Sequence, residues 1–163
     1  MASTISAGTL KLKIIEEIKL NGKDQGGITS LNIGSINEIY KRILTCLANS
    51  ETRIVDFHSS AADATLTPLD VHDVKYIRVT NLDDTNSLTL SLQIDVGEDD
   101  TTADESASIL LAAGHSFIMG TSHDSVGVSD ADANLVTDLV DLESIIVQPG
   151  ANAIDVEILV ASV

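Results

Sequence analysis

The fold class predicted from this sequence is all-β, an antiparallel β-sandwich or jelly roll. Three observations carry that reading. Apolar and polar residues alternate along several segments, Asn, Gly, Asp and Pro gather between them, and helices do not alternate with the strands. Successive strand side chains face opposite sides of a sheet, so a period of two marks a strand with one face buried.

The first residues, MASTISAGT, are small and polar without periodicity. They read as a flexible N-terminal lead over 1–9, free or ordered on a neighbour, ahead of a single β-sandwich domain over 10–163. Leu10, Leu12, Ile14, Ile18 and Leu20 share one face opposite Lys11, Lys13, Glu17 and Lys19, with Glu16 as the interruption. Asn21-Gly22-Lys23-Asp24 follows, and Asn-Gly suits a type I′ turn because both central residues need positive φ. A hairpin from residue 10 to about 33 is expected.

Over 36–47, Ile36, Ile39, Tyr40, Ile43 and Leu47 also fit a helical face, but the richness of 39–45 in β-formers favours a strand. Further strands are expected at 53–57 and at 74–80, followed by a polar turn over 81–86. Leu88, Leu90, Leu92, Ile94 and Val96 form an unbroken stripe opposed by Thr89, Ser91, Gln93 and Asp95, which describes a half-solvated antiparallel strand. Shorter candidates lie at 108–111 and 116–119. Residues 144–147 precede the turn 148–152, and Ile154, Val156, Ile158 and Val160 then alternate with Asp155 and Glu157 in a final strand. About nine strands joined by turns suit a sandwich or jelly roll. Residues 97–107, acidic and small, and 120–134, rich in Gly, Ser and Asp, read as loops.

Composition narrows the partners. A chain of 163 residues fits one domain. Nine Lys plus Arg against 25 Asp plus Glu leave a formal charge of −16, which repels polyphosphate, so nucleic acid is not expected as a partner. Cys46 is the single cysteine, which excludes an intrachain disulfide and Cys-x-x-Cys sites and fits synthesis in a reducing cytosol. Neither a signal peptide nor a membrane span is expected. Tyr40, Phe57, Tyr76 and Phe117 are the whole aromatic set, too few to build stacking platforms for sugars or bases.

Candidate chemistry is sparse. Asp95, Glu98, Asp99, Asp100, Asp104 and Glu105 offer oxygen ligands for Ca²⁺ but miss the spacing of an EF-hand, so a solvated loop is the reading; the weaker group Asp124, Asp130 and Asp132 is read likewise. The histidines, His58, His72, His115 and His123, contain no His-x-His pair of the kind that metal-dependent jelly-roll enzymes of the cupin type use, and His115 and His123 would meet only by accident of folding. His123-Asp124-Ser125 has triad residue types in the wrong geometry, without a Gly-x-Ser-x-Gly elbow. Cys46, beside Leu44 and Leu47, reads as a buried small hydrophobe. Gly26, Gly27 and Gly34 do not make a phosphate loop. The expectation is therefore no enzyme, with no catalytic residue, cofactor or metal.

Residues 13–24 (KIIEEIKLNGKD), 36–43 (INEIYKRI), 76–83 (YIRVTNLD) and 145–150 (IIVQPG) together resemble small virion structural proteins of tailed bacteriophages, particularly marine and cyanobacterial phages. The resemblance implies a β-sandwich or jelly-roll subunit, often trimeric, that decorates or cements a capsid or sits in the neck or tail. It brings no functional residues with it. The expected role is thus a capsid decoration or cement protein on the outer surface of a virion, made in the host cytoplasm and bound to the major capsid or another virion protein. The alternatives are a neck or tail component and a receptor- or glycan-binding module using loops 97–107 and 120–134. Like-charged subunits must be held by apolar burial, so a homotrimer that tightens as salt screens its repulsion is expected.

Overall fold

In a computed structural model describing residues 6–58, 69–94, 105–129 and 135–163, Asn21 and Gly22 have φ values of 50° and 78°. These are the positive values that a type I′ turn demands, and the expected hairpin forms around them. Strand β1 (Gly8–Glu16) pairs with β4 (Gly27–Ile36), while the short β2 (Lys19–Leu20) and β3 (Lys23–Asp24) close the tip. The first strand thus begins within the segment read as a lead. Gly26 sits at the waist between tip and stem, where a Cβ would lie 2.9 Å from the Glu16 carbonyl carbon, so any larger residue would push the two strands apart. Its amide donates to Asp24 Oδ1 at 2.9 Å.

Eight more strands build the body: β5 (Glu38–Cys46), β6 (Thr52–Asp56), β7 (Val74–Asn81), β8 (Leu88–Ile94), β9 (Glu105–Leu111), β10 (Ser116–Met119), β11 (Leu142–Pro149) and β12 (Ile154–Ser162). Their antiparallel pairing is nested: β8 with β9, β7 with β10, β6 with β11, β5 with β12. A ribbon doubled back on itself at the β8–β9 connection has therefore been rolled into two sheets, ordered β10-β7-β12-β5 and β6-β11-β8-β9. That nesting is a jelly roll. The ambiguous segment after residue 36 is a strand, since all nine residues of β5 pair with β12, from Glu38 opposite Ser162 to Cys46 opposite Ile154.

The core lies between the sheets. Val74, Ile77, Val79, Ile154, Val156, Ile158 and Val160 of one sheet meet Ile54, Val55, Leu88, Leu90, Leu92, Ile94, Leu142, Ile145 and Val147 of the other. Aliphatic side chains dominate, as the aromatic-poor composition requires. In β8 the stripe from Leu88 to Ile94 is buried while Thr89 is exposed and Ser91 and Gln93 are half-buried, the one-sided strand its alternation predicts. The turn after β7 is held by Asn81, itself buried, whose Nδ2 donates to the Asn86 carbonyl at 2.9 Å. Amides of Asn86 and Thr85 donate to Asp83 and hold its carboxyl below the usual aspartate range.

On the outer face of the first sheet, Glu157 of β12 accepts hydrogen bonds from Lys41 Nζ at 3.0 Å and from Arg78, bridging the strands on either side. The Lys41 bond, more than the charges around it, holds the Glu157 carboxyl below the ordinary glutamate range. A carboxyl depressed in the folded state stabilises above its unfolded value and loses that contribution as pH falls through the folded one. Glu157→Gln should therefore cost about 0.5–1 kcal/mol at neutral pH, and the gap to the parent protein should close as pH drops below about 4. Urea denaturation of both proteins across a pH series checks this; a gap that persists in acid would mean that the side chain stabilises by packing instead.

A second, smaller cluster joins the hairpin to the body. Ile36, Tyr76 and Ala161 are buried, with Leu10, Leu12, Ile33, Leu159 and Val163 packed on them, so the base of the β1–β4 hairpin leans on the outer face of the β7–β12 pair.

Candidate functional site

Beyond its base, the hairpin is unsupported. Register places Leu10, Leu12 and Ile14 of β1 opposite Ile33, Leu31 and Thr29 of β4 on one face, and Ile15 opposite Ile28 on the other. Leu10, Leu12 and Ile33 are half-buried on the body, whereas Ile14 and Leu31, the continuation of the same face, are exposed. Ile15 and Ile28, at 54% and 66% exposure, stand in solvent on the reverse side, and Ile18 and Leu20 near the tip are exposed too. At about 3.3 Å per residue, the stretch from Lys13 to the turn at Asn21 spans roughly 26 Å. The hairpin is an arm whose apolar stripe runs past its own support.

The adjoining edge strand extends the surface. β5 ends its sheet with one edge unpaired, and Ile39 and Ile43 are exposed on its outer face beside Lys41. Charge is divided along the same line. The arm, residues 8–36, carries Lys11, Lys13, Lys19 and Lys23 against Glu16, Glu17 and Asp24, a net of +1. The rest of the chain therefore carries −17. A nearly neutral, apolar arm is joined to a strongly acidic body.

At one end of the sandwich, three connections converge. His72 precedes β7, His123 follows β10 and Asp141 precedes β11, and one ligand-capable atom from each lies within 4.8 Å of the other two. His72 Nδ1 is 3.1 Å from Asp70 Oδ1, and His123 Nδ1 is 2.7 Å from Asp141 Oδ1. Asp124, with φ of 45°, brings its Oδ2 to 3.3 Å from His123 Nε2. The two imidazole rings lie 4.3 Å apart, tilted by 40°.

Among the described residues, the other candidates form no comparable cluster. His115 bonds the Ala113 carbonyl and does not meet His123. Ser125 Oγ donates to the Ser122 carbonyl, so His123-Asp124-Ser125 forms no relay. Cys46 is fully buried, and burial pushes its thiol up, as expected of a core residue. Glu105 opens β9, while Asp95, Val96, Glu98, Asp99, Asp100, Asp104, Asp130 and Asp132 lie outside the described residues. A cleft of about 310 Å³ between Asn49, Thr89 and Gln148 and another of about 560 Å³ between Thr45, Asp83 and Asp155 contain no imidazole or thiol. No helix among the described residues is long and apolar enough to cross a membrane. Sequence reasoning treated the arm as part of the core pattern and missed the meeting of His72 with His123, which no local spacing encodes.

No protein-family model matches the sequence, and no curated protein matches it. Among solved structures, the chain is similar to one from Bacillus endospore appendages, described as forming a novel family of disulfide-linked pili, with 10% identity and a TM-score of 0.37. That alignment covers 100% of this chain and 96% of the other. It is also similar to a chain of infectious bursal disease virus, Gx strain, with 9% identity and a TM-score of 0.23 over 98% of this chain and 52% of that one.

Proposed function

We propose that this chain is a non-catalytic structural subunit that assembles by laying its β1–β4 arm on a second copy of itself, and that the assembly decorates or cements the outer shell of a virion. The observation that carries this reading is the apolar stripe of the arm, docked at its base and bare beyond it. Such a stripe costs solubility unless a partner covers it. Charge argues for a second copy as that partner: the arm, at +1 with four lysines, can lie on a body at −17 without the repulsion that two acidic bodies would meet, while apolar burial supplies the affinity. Jelly rolls recur in viral capsids, and the resemblance to phage virion proteins points the same way, both at the level of fold analogy. Cys46, buried in the core, is not placed to link subunits covalently.

Arm-on-body contact is heterologous, so it closes into a ring or runs on as a filament. A closed trimer is the form proposed here. Light scattering across a concentration series on the full chain tests it: a trimer is expected, and a monomer at every concentration overturns the reading. Copy number by mass spectrometry of intact particles tests the virion location. Hundreds of copies fit a shell protein, and a dozen or fewer would assign it to the neck or tail.

A further inference from the structure

Buried backbone anchors fix the histidine cluster at the end of the sandwich. Ser122, fully buried, donates from Oγ to the Val71 carbonyl at 2.8 Å and accepts the Leu142 amide at 2.8 Å, with Val71 and Leu142 themselves buried. Their chain neighbours are His72, His123 and Asp141. Each functional side chain therefore projects from a residue next to a locked core position, the kind of support that holds a ligand set in place.

We propose that His72, His123 and Asp124, with Asp70 and Asp141 holding the two imidazoles from behind, form a binding site for a divalent transition metal, zinc above all. Asp70 and Asp141 each lie at an imidazole Nδ1, where an ionised carboxylate accepts the N–H and leaves the Nε2 lone pair for an ion, the arrangement found behind metal-bound histidines. Asp141 Oδ1 is engaged by His123 Nδ1 and by the Asp124 amide at 2.7 Å, so this carboxylate holds the imidazole from behind and does not itself reach the ion. A tetrahedral ion with bonds of about 2.0–2.1 Å separates its ligands by about 3.3–3.4 Å. The 3.3 Å between His123 Nε2 and Asp124 Oδ2 matches such an edge. A ligand-capable atom of His72 already lies within 4.8 Å of one of His123, and rotation of these partly exposed side chains brings the two imidazoles to one ion.

Charge favours occupancy. Asp70, Asp124 and Asp141 surround two imidazoles without an ion pair to any Lys or Arg among the described residues, and the nearby Lys75 ammonium donates to the His72 carbonyl oxygen instead. Two nitrogen ligands with carboxylates select zinc and its neighbours over calcium, which prefers an all-oxygen shell. Bound there, the ion would staple the segment before β7 to the one after β10, which Asp141 ties in turn to the segment before β11, stabilising the native state by mass action. This site is independent of the assembly proposed above.

The test uses the full chain, stripped with a chelator and titrated with Zn²⁺ or Co²⁺. Near 100-fold excess over the dissociation constant, zinc should raise Tm by roughly 5–10 °C. Co²⁺ should develop the visible absorption of a tetrahedral nitrogen–oxygen site, and Ca²⁺ should do neither. His72→Gln and His123→Gln should abolish both signals while keeping a metal-free Tm within a few degrees of the parent, and His115→Gln, outside the cluster, should leave both intact. No response to zinc, or a response that survives both cluster variants, overturns the site.

Discussion

Leu90→Asp is expected to leave no folded protein at all. Leu90 is fully buried in β8, a strand flanked by β11 and β9, where it stands opposite Val147 and Ile109. Removing a buried leucine costs about 2–5 kcal/mol. A carboxylate left in its place, without a partner within the core, adds several more. Against a total stability of about 5–15 kcal/mol, the sum empties the native state. Circular dichroism and a flat denaturation curve would register it. On the opposite side of the same strand, Gln93→Ala loses a 2.7 Å hydrogen bond to Ser91 Oγ and should cost no more than about 1 kcal/mol. Equal damage from both changes would mean that the outer face of this sheet is also covered, by another subunit.

Polar β-formers placed on the arm should separate assembly from folding. Ile14→Thr with Leu31→Thr alters the face that continues the docked stripe, and Ile15→Thr with Ile28→Thr alters the reverse face. Threonine keeps the strand propensity, so the hairpin and body should fold with little change in Tm. Each pair removes about 2–3 kcal/mol of apolar burial from an interface that covers it, which weakens association roughly 30–150-fold. The first pair should have the larger effect, because its face is the one already committed to packing. Sedimentation velocity at matched concentrations reads the outcome, and oligomers unchanged by both pairs would exclude the arm as the contact.

Local rules made the body legible. The alternation from Leu88 to Ile94 encodes which face of β8 is buried, Asn21-Gly22 encodes a turn, and the β-branched run after residue 36 outweighs its helical spacing. The arm was legible as a hairpin but not as an arm. An apolar stripe looks the same in sequence whether it faces its own core, as at Leu10 and Leu12, or a partner, as at Ile14 and Leu31. The histidine cluster left no local trace, because its members come from three connections that only the rolled topology brings together. Motif spacing finds ligands that share a strand or a helix. It has no access to a site assembled across β7, β10 and β11.

The nested pairing of the body also dictates an order of events during synthesis. β12 lies between β5 and β7 in its sheet, yet it leaves the ribosome after both. At about 5–20 residues per second, the nascent chain spends seconds with β5 and β7 made and the strand between them missing. The pairing within the arm has no such wait, since its contacts are local and hairpins close within about 1–10 μs, but its base cannot dock until β7 and β12 are both made. Each new molecule therefore carries an undocked apolar arm before it owns a finished body. Loss of the final strand would leave every molecule at that stage, with the arm formed and one sheet split down its middle.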